Sequence, residues 1–204
     1  MSREAIAEYQ VSTNLFDVTS GHSSGVQVQA ISRNGTNKLS GNVYGYFRDS
    51  RMNAKDFVAQ KVLPYQNQQI GGSLGGPIVK DKTHYFATFE RENEPATSVF
   101  HPPGYVASIS LPHPRHQYRL LARGDHQLKQ GQNLSVRLVT FRDANPFGIQ
   151  DGSVHPTRQS DQSFDSYSLQ GTWTHVVSNS FVQEVRVGMF HYHWNHVPAA
   201  GVPQ

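Results

Sequence analysis

The residues best able to do chemistry fall into four groups. The first is Gly71-Gly72-Ser73-Leu74-Gly75-Gly76, a glycine cluster of the kind that cradles phosphate. A phosphate loop also needs Gly-Lys-Ser/Thr to close it and a helix to follow, and here Pro77 follows instead. Glycines in a barrel strand permit curvature or a close approach of a plug. The second group is His191, His193 and His196. His191 and His193 share one side of an extended chain, as two metal ligands must. No carboxylate stands nearby in sequence, and Tyr192 and Trp194 flank them, which suits a belt of amphipathic aromatics at a strand end. The third is Glu90 and Glu92, two positions apart and able to mimic a carboxylate pair. The fourth is Arg119, Arg123, Arg137 and Arg186, able either to guide an anion or to pair with carboxylates.

None of these groups makes an enzyme. Ser, His and Asp are plentiful, but no Gly-x-Ser-x-Gly elbow occurs. The 204 residues contain no cysteine, which removes disulfides, thiolate nucleophiles and zinc–thiolate sites. We expect no catalytic residues, no cofactor and no metal. The net charge of +3 is spread thinly, with no Lys/Arg run to track phosphates, so nucleic acid is not an expected partner.

The elements that must carry these residues are strands. Hydrophobic residues make up 36% and charged residues 16%, leaving a chain rich in Gln, Ser, Asn, Thr and Gly. That mixture fits strands with one apolar and one polar side and fits helical bundles poorly. Seven barrel strands are expected from period-two alternation. In the first, Gly41, Val43, Gly45 and Phe47 alternate with Asn42, Tyr44, Tyr46 and Arg48. The others are 68–76, 84–92, 117–126, 134–142, one about 167–174, and 181 to about 194. In the sixth, Tyr167, Leu169, Gly171 and Trp173 alternate with Ser168, Gln170, Thr172 and Thr174.

The connections alternate too. Short ones are expected at 77–83, 127–133 and 177–180, and long polar ones at 49–66, 93–116 and 143–164. A compact soluble domain seldom carries three long structureless loops. An up-and-down transmembrane barrel does so routinely, with tight turns on one side and long loops on the other. No run of eighteen apolar residues exists to cross as a helix. The start, Met1-Ser2-Arg3-Glu4-Ala5, lacks the apolar core of a secretory signal. Seven strands are too few and odd in number for a usual bacterial barrel, so a truncated chain is expected.

Several segments resemble the Oar-like branch of the TonB-dependent outer-membrane transporters. Ile6-Ala7-Glu8-Tyr9-Gln10-Val11 and Gly25 through Asn37, ending in Gly35-Thr36-Asn37, resemble the end of that family's plug. Gln66-Asn67-Gln68 with Gly71 to Ile78, then Lys80-Asp81-Lys82-Thr83 and Tyr85-Phe86, is similar to its second and third strands. Arg123 to Leu128, Trp173 to Ser178 and Glu184 to Gly188 resemble later strands. The resemblance implies an all-β fold: a partial antiparallel up-and-down barrel (residues 38–204) preceded by the C-terminal part of a plug (residues 1–37). It further implies a large plugged parent of about 22 strands, in the outer membrane, importing an unidentified ligand. The implied partners are outer-membrane lipid and a TonB complex. The competing reading is a soluble or surface β-rich carbohydrate-binding module, using Tyr, Trp and His in polar loops.

Overall fold

In the computed structural model, residues 2–13, 26–55, 62, 65–104, 108–146 and 153–199 are described. Two antiparallel sheets form. The smaller pairs β1 (Ile6–Thr13) with β2 (Val26–Ser32). The larger has seven strands in chain order: β3 (Ser40–Asp49), β4 (Gln66–Val79), β5 (Thr83–Phe100), β6 (Ile109–Lys129), β7 (Gln132–Asn145), β8 (Ser160–Ser178) and β9 (Phe181–Pro198). Among the described residues each strand pairs only with its neighbours in sequence, so β3 and β9 are the edges.

The tight connections are tighter than expected. Pro77, Ile78 and Val79 belong to β4, with Val79 opposite Thr83. Lys129 pairs with Gln132 across a two-residue turn whose Gly131 has φ +77°. Asp81 also takes a left-handed φ of 61°, a conformation that Asp tolerates better than most residues. Its backbone N–H donates to Asn37 Oδ1 at 2.8 Å, which ties this turn to the segment leading into β3.

The expected loop at 93–116 is corrected. β5 and β6 stay paired from Thr83–His126 out to Phe100–Ile109, and only 101–108 connects them. The prolines that suggested a loop are accommodated by register. Pro95 faces Pro114, and Pro112 faces Thr97 two rows on. A pair of prolines cannot be a hydrogen-bonded pair, so these alternate rows are the ones whose N–H groups would point away from the partner strand. They would point at β4 and β7, whose pairing has ended at Asn93 and His116 respectively. No ladder bond is lost. The loop expected at 143–164 also shrinks, because β7 runs to Asn145 and β8 starts at Ser160. A 3₁₀ turn, Pro156–Arg158, lies between them with Pro156 buried. Residues 147–152 of that loop, and 56–61 and 63–64 of the one at 49–66, lie outside the described residues.

The seven-stranded sheet has two unlike faces. One is covered by the N-terminal residues. Ala5 is buried with Phe86 and Leu121, with Val139 packed against them. Ser2 Oγ donates to Thr88 Oγ1 at 3.3 Å, and Arg123 Nη1 donates to the Ser32 carbonyl at 3.2 Å. Among the described residues the other face is bare and apolar: Val43, Phe47, Ile70, Leu74, Phe89, Leu169, Val185, Val187 and Met189 all stand exposed on it. Alternation along each strand sorts the side chains between the faces.

The bare apolar band is slanted. The cross-strand row through Met189 on β9 passes Leu169, Leu138, Ala122, Ala87 and Leu74 and meets β3 at Gly41, six residues short of Phe47. The upper apolar limit is Phe47 on β3 and Met189 on β9, with His191 and His193 beyond the latter. It therefore drifts about one residue per strand. With about 3.3 Å per residue along a strand and about 4.8 Å between strands, that drift corresponds to a tilt of about 35°. Transmembrane barrels tilt their strands by about 35–45°.

Candidate functional site

The covered face of β3 to β7 carries a connected polar network. One register row sets Tyr44, Gly71, Glu90, Arg119 and Phe141 side by side. Glu90, 3% exposed, accepts from the Tyr44 hydroxyl at 2.6 Å and from Arg119 Nη1 at 2.6 Å. The same Nη1 donates to Glu92 at 2.9 Å, and Asn67 Nδ2 donates to the other Glu92 oxygen at 2.8 Å. Arg119 also donates to the Gln117 amide oxygen, and its guanidinium lies 5.7 Å from the centre of the Phe141 ring.

A buried ion pair survives only when its remaining hydrogen-bonding capacity is met. Here five polar side chains around one guanidinium meet it. The arrangement fastens four strands, β3 to β6, at one level. Further along the face, Arg115 grips the buried Asp143 through two nitrogens at 3.0 and 2.8 Å, joining β6 to β7.

Glu90 and Glu92 do share a face, as their spacing requires, and both pair with Arg119 Nη1. The glycine cluster lies within β4. A Cβ on Gly71 would come 2.5 Å from the Tyr44 hydroxyl and 2.9 Å from the Phe89 carbonyl oxygen. One on Gly75 would come 2.8 Å from the Phe86 ring. These glycines clear the way for Tyr44 to cross β4 toward Glu90 and for Phe86 to lie flat. The approach expected of a plug is here made by the neighbouring strands and by Leu39.

The three histidines separate. His191 stacks on Tyr167, with ring centres 4.7 Å apart, and His193 lies opposite Asp165, both on the bare face. His196 is on the covered side beside Trp194 and Ser160. Among the described residues no three His, Cys, Asp or Glu side chains gather to hold a metal. All four arginines lie on the covered face, which sequence alone left open. Arg119 belongs to the network. Arg123, Arg137 and Arg186 line a cleft of about 610 Å³ at the tight-turn end, walled by Ala30, Ile31, Ser32 and Asn34 of the N-terminal segment.

Sequence reasoning missed Tyr44, Asn67, Gln117, Arg115 and Asp143 as partners in these networks. Every one is an inward-facing member of a strand, but which strand positions stand opposite one another depends on turn length and bulges.

A model of the outer membrane beta barrel domain family matches residues 31–104. No curated protein and no solved structure matches the chain. The match begins on β2, includes the strap that enters β3, and ends past β5. Residues 31–104 are thus similar to an outer-membrane β-barrel domain, and the match places the protein in the outer membrane.

Proposed function

From a sheet that belongs in the outer membrane, we propose that the chain is part of a TonB-dependent transporter of the Oar-like type. Residues 1–37 end a plug and residues 38–204 supply the first barrel strands. The observation that carries this reading is the position of the N-terminal segment. Its β1–β2 hairpin and the strap after it sit on the charged face, while the apolar face is bare. A plug inside a barrel has that relation to the wall. Import of a ligand is then driven through a TonB complex, and the seven strands form one side of the conduit.

A soluble carbohydrate-binding module would need a second layer over Val187 and its neighbours, and the described residues provide none. Burying such a face in hydrocarbon is the arrangement that strands with alternating sides support.

The test is made on the full polypeptide that carries this sequence, expressed in its own cells. It should fractionate with the outer membrane, migrate faster on gels unheated than boiled, and retain the periplasmic domain of TonB on a column. Outer-membrane fractionation without TonB retention would leave a barrel with a different task.

A further inference from the structure

The cleft at the tight-turn end differs from the saturated network above it. Arg123 and Arg137 are direct cross-strand partners on β6 and β7. Like charges placed directly opposite one another destabilise a sheet. Arg186 on β9 lines the same space. Two of the three have a carboxylate: Arg123 donates to Asp125 at 2.9 Å, and Arg186 to Glu184 at 2.5 Å. Arg137 donates to the amide oxygen of Gln170 at 2.6 Å, and among the described residues it pairs with no carboxylate.

We infer that this cleft is a binding site for an oxyanion group, phosphate or carboxylate, held by Arg137 with Arg123 and Arg186. The guanidinium fork matches the geometry of both groups, and an anion between opposed arginines removes the repulsion that their register imposes. The volume of about 610 Å³ suits a small molecule carrying such a group. The Ser32 hydroxyl and carbonyl, which already accept from Arg123 at 3.2 Å, aim that guanidinium from the N-terminal side. The anion has two sources: a free small molecule, or a carboxylate of the polypeptide itself. The inference deepens the transporter reading by naming a ligand class, and it rests on that reading for an enclosed interior.

The experiment uses the full polypeptide purified from outer membranes in detergent, with inorganic phosphate as the probe and chloride at matched ionic strength as the reference. Thermal unfolding is followed for wild type, Arg137→Gln, Gln170→Met (which loses the amide but keeps the guanidinium) and Arg48→Gln. Arg48 is on β3 beside Asn53, outside the cleft lining. Phosphate should raise the wild-type midpoint, and Arg137→Gln should weaken the apparent affinity about tenfold or more, a charge-assisted bidentate contact's worth. Arg48→Gln should respond as wild type does. That result assigns the site to a free oxyanion.

A wild type indifferent to phosphate, with Arg137→Gln alone melting lower than wild type, assigns it to a carboxylate of the polypeptide. Indifference in wild type with Arg137→Gln melting alongside it overturns the inference, as does an equal phosphate response in both. A wild-type protein absent from the outer-membrane fraction sinks the transporter reading separately, whatever phosphate does.

Discussion

The two faces of the seven-stranded sheet are built from the same strands and obey opposite rules. On the covered face a charge is tolerated when its partners saturate it: Glu90, almost fully buried, is held by Tyr44 and Arg119. On the bare face the apolar band carries no charged side chain from the row of Met189 down to that of Val185. Charges return on that face at the row of Ile70, where Arg91 lies over the Tyr118 ring and Arg142 pairs with Asp165 at 2.5 Å. A soluble sheet would reverse the assignment, with its apolar side packed and its charged side wet. The inversion is what hydrocarbon outside and polar contents inside demand.

The contrast can be broken from either side, with stability read by urea unfolding of the intact protein in lipid vesicles. Arg119→Met should have the largest effect. It leaves the buried Glu90 and the half-buried Glu92 without their cation, and losing one partner of a buried pair costs about 3–5 kcal/mol. Val187→Arg places a charge on the bare face at a residue that is 69% exposed; the expected cost is about 2–4 kcal/mol near the bilayer centre. The same variant should be nearly neutral if that face meets water. Gly35→Ala should follow, at about 1–3 kcal/mol, as overpacking usually costs. A Cβ there overlaps the backbone carbonyl of Tyr85, which cannot swing aside as a side chain can. Arg142→Met should be the smallest effect, below about 1 kcal/mol, because both members of its pair are solvent-exposed. If Arg142→Met cost as much as Arg119→Met, the claim that burial separates the two ion pairs would fail.

What could be read from sequence was the sorting of side chains, because alternation in a strand is a local property. Val43 and Phe47 against Tyr44 and Arg48, or Leu169 and Trp173 against Gln170 and Thr172, fell on the faces that their alternation implied. The inventory of tight turns was legible for the same reason. What could not be read was which residues stand opposite one another. Glu90 meets Arg119 because of the length of the β5–β6 connection, and Gln117 meets Asp143 because a bulge at Gln127/Lys129 sets the β6–β7 register. Nor was the outward extension of β5 and β6 visible. Pro95, Pro112 and Pro114 signal a loop in any local reading, and their tolerance depends on β4 and β7 ending where they do. Phe100, 1% exposed, gives that extension an apolar anchor of its own.

The slant of the apolar band also sets a circumference. A strand tilted about 35° occupies about 5.9 Å of perimeter, so seven staves span an arc of about 41 Å. Curled shut, that arc would make a ring about 13 Å across, a bore that its own inward side chains would fill. The paired ribbon of β1 and β2 could not sit inside it. For this wall to surround the segment that lies against it, many more staves must stand between β9 and β3.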